Sequence, residues 1–346
     1  MADHPDNDAP IRPYDQPAGG WDALKSSWQA LRQQDAVLRG PGTLLRTNQP
    51  TGFDCPGCAW PDRNPHSTFE FCENGAKAVT WEATPKRADR AFFAGHTVTE
   101  LWGWTDHALE NAGRLTEPMA YDIGRDSYVP ISWDDAFTRI GAALQALPDP
   151  DMAEFYTSGR TSNEAAFLYQ LFVREYGCNN FPDCSNMCHE SSGTALKKQI
   201  GVGKGTVSLH DFEKADAIFI FGQNPGTNHP RSLTTLKKMK ENGGKMVVLN
   251  PMPETGLMAF KEPQSPVGMF KPEQLADEYL QVRLDGDRAF FQQLNKELIR
   301  RDSIDHVFIE RFTSGFDEVK EHLLNLDDAE LERGSGISAS QVAKVA

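Results

Sequence analysis

From about residue 150 onward the sequence alternates between two periodicities, and that alternation limits the fold more than any other feature. Residues 153–159 (AEFYTSG) read as a buried strand, and 162–177 as an amphipathic helix entered at Ser162. A cysteine-bearing loop then leads to SSGTALKKQIG, which reads as a helix. ADAIFIFGQNP is a strand ending in a turn, RSLTTLKKMKENGG a helix stopped at Gly243, and KMVVLNP another strand. The same style continues through LADEYLQVRLDGDRAFFQQLNKELIRR, with a surface insertion expected near Pro263–Pro272. Strands that alternate with helices pair in parallel, because each helix carries the chain back to the same end of the sheet. The expected class is therefore α/β, with doubly wound, mostly parallel sheet layers. Upstream, Ser132 is placed to cap a helix over ISWDDAFTRIGAALQAL.

A chain of 346 residues is too long for one ordinary domain. Hydrophobic content of 39% and charged content of 24% describe a globular protein, and no apolar run reaches the length of a membrane span. The first twenty residues are polar, acidic and rich in Pro and Gly, with neither the basic start nor the apolar stretch of a secretory signal. A cytoplasmic location is expected. The net charge of −14 argues against nucleic acid as a partner, and means that an anionic ligand must be held by local donors. The chain ends within what reads as an amphipathic helix, GISASQVAKVA, as expected of part of a longer protein.

Six cysteines fall in two groups: Cys55, Cys58 and Cys72, then Cys178, Cys184 and Cys188. Such grouping in a large chain reads as metal or redox chemistry rather than as a disulfide framework. Cys55-Pro-Gly-Cys58 followed by Cys72 places three thiolates within reach of one centre. Asp62 stands where a third cysteine would fall in a C-x2-C-x3-C pattern, and His66 lies four residues further on. An iron–sulfur cluster with an oxygen or nitrogen ligand and a zinc ion on Cys55, Cys58, His66 and Cys72 both satisfy this spacing. In the second group Cys188 immediately precedes His189, coupling a soft anionic ligand to a titratable base. Gly201–Thr206 is not a phosphate loop, since its lysine is followed by glycine and the segment follows a helix. The strand ending in Gly222-Gln223-Asn224-Pro225, with His229-Pro230 behind it, is built for close backbone approach by a ligand, and the next strand ends equivalently at Asn250-Pro251.

Taken in order, these segments resemble the molybdopterin oxidoreductase family, in particular its formate dehydrogenase alpha-subunit branch. The matching blocks are Cys72-Glu73-Asn74-Gly75-Ala76-Lys77, Glu117-Pro118 ahead of the ISWDDAF element, Tyr156–Glu164, Gly177–His189, and Phe221–Pro225 with His229-Pro230. The resemblance runs from about residue 51 to the end and favours iron–sulfur over zinc at the first group. It implies a 4Fe–4S cluster on Cys55, Cys58 and Cys72, with Asp62 as a further ligand. It also implies a molybdenum bis(molybdopterin guanine dinucleotide) cofactor ligated by Cys188, with His189 beside the substrate. Lys77 would stand between cluster and pterin, and Gly222, Asn224, His229 and Asn250 would line the dinucleotide pocket. The implied organisation is an extended arm over 1–50, an iron–sulfur subdomain over 51–115 and an α/β cofactor-binding region over 116–346. The implied reaction is the two-electron oxidation of a small anion such as formate to carbon dioxide, with electrons passed on to a partner subunit. An oxyanion or N-oxide reductase of the same family, or a zinc-stabilised scaffold without activity, are the rival readings. Two departures from the family pattern stand out: three cysteines replace four, and Lys77 follows Cys72 by five residues rather than two.

Overall fold

The computed structural model describes residues 16–58, 60–182 and 184–346. The first part of the expected arm, 1–15, and the Cys184 side chain lie outside the described portion. Contacts gather the chain into two compact units, one of Asp22–Val207 and the other of Met1–Trp21 with Ser208–Ala346. Each unit is described by itself.

The Asp22–Val207 unit begins in helix α1 (Gly20–Gln33), which buries Ala23, Ala30 and Leu31. The chain then winds through the first cysteine loop into helix α2 (Glu73–Ala83). Leu44, Ala76 and Val79 form a small core there, with Cys55 and Phe71 packed against it. Short helices follow, each opened by a side chain that bonds the first free N–H groups, as Asp89, Thr97 and Thr105 do. Strands β1 (Met119–Asp122) and β2 (Ser127–Pro130) form an antiparallel hairpin. Helix α3 (Trp133–Gln145) opens at Ser132, whose hydroxyl accepts from Asp135 N–H at 3.0 Å. Helix α4 (Asn163–Tyr176) opens at Ser162 and closes at Gly177, whose φ of 98° is left-handed. Both caps stand where the sequence put them.

The strand expected over 153–159 is not formed along 153–156. Phe155 buries its ring among Val173, Cys178 and neighbouring aromatics, and its N–H donates to Asn180 O at 3.0 Å. The segment is apolar because it fills this core. Cys178 belongs to the same core: its thiol donates to Ala153 O at 3.4 Å, so it is a packing residue rather than part of a metal group. Helix α5 (Cys184–Ile200) starts earlier than the expected SSGTALKKQIG, so Cys188 and His189 lie within a helix and not in the loop before it.

In the other unit, strands β3 (Ala217–Phe221), β4 (Lys245–Leu249) and β5 (Glu278–Leu280) form a parallel sheet in the order β5-β4-β3. Helix α6 (Ser232–Glu241) connects β3 to β4. Side chains on β4 alternate between faces with the period of two that a strand imposes. Met246 and Val248 pack with Leu233, Leu236 and Met239 of α6. Val247 and Leu249 pack with Phe290 and Leu294 of helix α7 (Asp287–Arg300) and with Val342 of helix α8 (Ala339–Val345). Each buried side chain of this size stabilises the fold by about 1.5–3 kcal/mol, which makes the two-sided β4 the anchor of the unit. The expected insertion near Pro263–Pro272 lies between two paired strands, Ala259–Lys261 and Glu273–Gln274, and Ala18–Gly19 pairs with the first of them. Among the described residues no helix is long and apolar enough to cross a membrane.

Candidate functional site

The first cysteine loop is held in shape by a buried asparagine. Asn48 adopts a left-handed φ of 55°. Its side-chain oxygen accepts from Cys55 N–H at 2.8 Å, and its amide donates to Glu70 O at 2.6 Å. One side chain thus ties the start of the loop to its end. Glu70, itself buried, accepts from Ser67 N–H at 2.8 Å and tightens the return into α2.

Cys72 is the N-cap of α2, and its sulfur accepts from Gly75 N–H at 3.3 Å. Cys55 Sγ similarly accepts from Gly57 N–H at 3.3 Å. Backbone N–H groups and the positive end of a helix favour a thiolate. Burial opposes it and pushes the Cys72 thiol up to about 11. The Gly75 and Asn74 N–H groups pull it down, while the neighbouring Cys55 and Cys58 sulfurs push it further up. The Cys72 thiol is thus held protonated chiefly by its burial, and added positive charge beside it would favour the thiolate. Space is reserved beside them as well: a Cβ at Gly75 would stand 3.0 Å from Cys55 Sγ and 3.7 Å from Cys72 Sγ. The donor set, the helix N-terminus and this glycine-lined space fit a thiolate-bound metal group. Among the described residues no group of three or more His, Cys, Asp or Glu side chains is placed so that it could hold a metal ion, so a cluster here requires the sulfurs to turn inward.

Lys77 lies one helical turn beyond Glu73 and forms an ion pair with it at 2.8 Å, both side chains half-buried. Cys55, Cys58, Asp62 and His66 line a cavity of about 1290 Å³. The lining also includes Arg160 and Ser162 of the turn that opens α4, so two of the segments singled out in the sequence meet here within one unit. Cys72, Cys188 and His189 are not among the lining residues. Cys188 is exposed on α5, with His189 next to it and also exposed.

The remaining candidates belong to the parallel sheet. Phe221 pairs with Leu249 in parallel register, so the turns Gly222–Pro225 and Asn250–Pro251 leave the same edge of the sheet. Gly222 has a φ of 64°, its N–H donates to Leu249 O at 3.1 Å, and nothing stands within 4 Å of where its Cβ would be. The two asparagines are engaged by the protein itself. Asn224 accepts from Thr227 N–H at 3.2 Å and donates to Glu254 at 2.7 Å. Asn250 donates to Met252 O at 3.0 Å. The backbone N–H of His229 donates to Pro225 O at 2.9 Å. These side chains shape the turns, and the open backbone at Gly222 is what they present.

Sequence reasoning missed Asn48, Glu70, Gly57 and Gly75. An asparagine ahead of a Gln-Pro-Thr-Gly turn tolerates a left-handed backbone, and that was the one signal for Asn48. Gly57 lies within the Cys55–Cys58 turn itself, whereas Gly75 declares itself through its closeness to Cys55, which is remote in sequence.

A model of the family described as molybdopterin oxidoreductase matches residues 114–305, more than half of the chain and downstream of the cysteine loop. Protein YdeP of Escherichia coli (strain K12) is 51% identical over 348 residues, covering 97% of this chain and 46% of that protein. Formate dehydrogenase H of the same strain is 25% identical over 250 residues, covering 71% of this chain and 33% of that protein. Among solved structures, acetylene hydratase from Pelobacter acetylenicus superposes with a TM-score of 0.51 at 20% identity, over 64% of this chain and 28% of that one, which is a likeness of fold. The chain spans less than half the length of YdeP. With more than half of its residues matched, the chain belongs to the molybdopterin oxidoreductase family.

Proposed function

We propose that this chain carries the iron–sulfur site and part of the molybdopterin guanine dinucleotide site of a cytoplasmic oxidoreductase that oxidises a small anion, formate being the first candidate. The observation that carries the reading is that the Cys55 and Cys72 sulfurs both border Gly75 at the N-terminus of α2, while Cys55 and Cys58 line a cavity shared with the turn that opens α4. The distant relationship to formate dehydrogenase H supports formate over other substrates of the family. When bound, the molybdenum group would take two electrons from substrate and the cluster would pass them on singly to a partner.

The chain supplies what the metals do not. In this reading Cys55, Cys58 and Cys72 hold the cluster, with the Asp62 carboxylate as its fourth ligand. The Cys188 side chain would hold the molybdenum, and His189, exposed beside it, would take the substrate proton. Lys77, steadied by Glu73, supplies positive charge one helical turn beyond Cys72. Gly222 admits the dinucleotide backbone at the sheet edge, on turns shaped by Asn224, His229 and Asn250. A doubly wound sheet completed by further strands is part of the same proposal. In a chain of net charge −14, Arg39 and Arg160 on the cavity wall offset repulsion of an anion.

The test is anaerobic dye reduction by the full-length protein with formate, alongside dye oxidation with nitrate and with an N-oxide. Formate-dependent reduction is the expected result. Turnover with the oxyanion or N-oxide alone would move the assignment to a reductase of the same family.

A further inference from the structure

Gly75 occupies a position where every local consideration favours alanine. It lies in the first turn of an eleven-residue helix, α2, and does not take a positive φ. Glycine in such a place costs about 1 kcal/mol relative to alanine, because it gives up more backbone freedom on folding. The position is buried, so a methyl group would also remove apolar surface from water. Neither propensity nor backbone geometry explains the glycine.

Its surroundings do. A Cβ at Gly75 would meet Cys55 Sγ at 3.0 Å, Cys72 Sγ at 3.7 Å and Phe71 Cβ at 3.9 Å. The first distance is tight enough that the Cys55 sulfur would have to give by a few tenths of an ångström. Gly57 mirrors the arrangement from the other side: its Cβ would lie 3.3 Å from Cys55 Sγ and 3.8 Å from Gly75 Cα. The Gly57 and Gly75 N–H groups each donate to one of these sulfurs at 3.3 Å. Each sulfur therefore has a donor on one side and an open face where a side chain would otherwise stand.

We infer that Gly75 is a positioning residue: by lacking a side chain it leaves Cys55 and Cys72 free to turn onto a common iron–sulfur core, and its N–H fixes the Cys72 sulfur. The inference rests on the iron–sulfur reading of the cysteine loop and adds a requirement that the family match, which begins downstream of this loop, does not contain. Gly75 touches the ligands and acts through them.

The experiment compares full-length wild-type protein with Gly75→Ala and with Gly141→Ala. Gly141 is also helical, in α3, and nothing stands within 4 Å of its Cβ position. Iron per chain and visible absorption are measured on the proteins as isolated, and thermal unfolding on all three after chelation of the metal. Gly75→Ala is expected to lower iron content by about tenfold or more, the size of effect that supporting residues exert on metal affinity. Its stripped form is expected to melt no lower than stripped wild type, and Gly141→Ala to keep its iron. Full iron in Gly75→Ala overturns the inference, and so does a stripped Gly75→Ala protein that melts well below wild type, since the glycine would then serve packing alone. Wild-type protein that binds no iron overturns the underlying reading, an outcome distinct from both.

Discussion

At the scale of single residues, the account separates groups that hold metal from groups that move protons. Cys188→Ala is expected to reduce formate-dependent dye reduction to background while leaving iron absorption intact, because the cluster draws on other thiols. His189→Ala is expected to keep molybdenum and slow turnover by about 10²–10⁴-fold, the usual contribution of a general base. Full turnover by the Cys188 variant would remove that residue from the chemistry. Asp62 and His66 both line the cavity beside Cys55 and Cys58, so they are tested together. Asp62→Ala is expected to drop the iron count by about one per chain, from a cluster that wants four ligands, with His66→Ala unchanged. The reverse result would exchange their roles. The cysteines were legible in the sequence because reactive side chains at short spacing are visible there. Asn48 and Gly75 were not, since one acts through hydrogen bonds to Cys55 and Glu70 and the other through a missing side chain.

At the scale of elements, the edge of the parallel sheet is set by one aspartate. Asp277 accepts from Lys240 Nζ at 2.5 Å and from Met246 N–H at 2.7 Å, and lies 3.7 Å from Lys245 Nζ. Burial raises its pKa, and the Lys240 bond and the Met246 N–H outweigh that, so the carboxyl sits below the ordinary carboxylate value. A group with a depressed folded pKa contributes stability that is full above its unfolded value and is lost as pH falls through the folded one. Asp277→Asn is therefore expected to cost about 1.5–3 kcal/mol near neutrality, as loss of hydrogen bonds to a charged group does, and nothing extra in strong acid. Urea unfolding at several pH values between neutral and strongly acidic checks this, and a pH-independent difference would contradict it. Strands β3 and β4 and helices α3 and α4 were readable because periodicity and a capping serine agreed with each other. The 153–156 segment was misread because a buried apolar run looks the same whether it pairs as a strand or fills a core, as Phe155 does. The start of α5 was placed too late because its first turns, CSNMCHE, carry residues that favour turns and caps.

At the scale of the molecule, the two compact units present different features. One gathers thiols around a helix N-terminus, and the other offers an open backbone turn at the edge of a parallel sheet. The class of fold and the family were legible because several motifs occur in order, and order along the chain survives where spacing within a motif does not. The central claim is that Cys55, Cys58 and Cys72 carry an iron–sulfur cluster in a molybdenum oxidoreductase. Its most direct test is metal analysis of the anaerobically purified full-length protein together with Mössbauer spectroscopy of iron-57-labelled material. The account predicts molybdenum and about four iron atoms per chain as one cluster, with one iron spectroscopically distinct because its ligand is not a thiolate. One zinc ion per chain with neither iron nor molybdenum would contradict it.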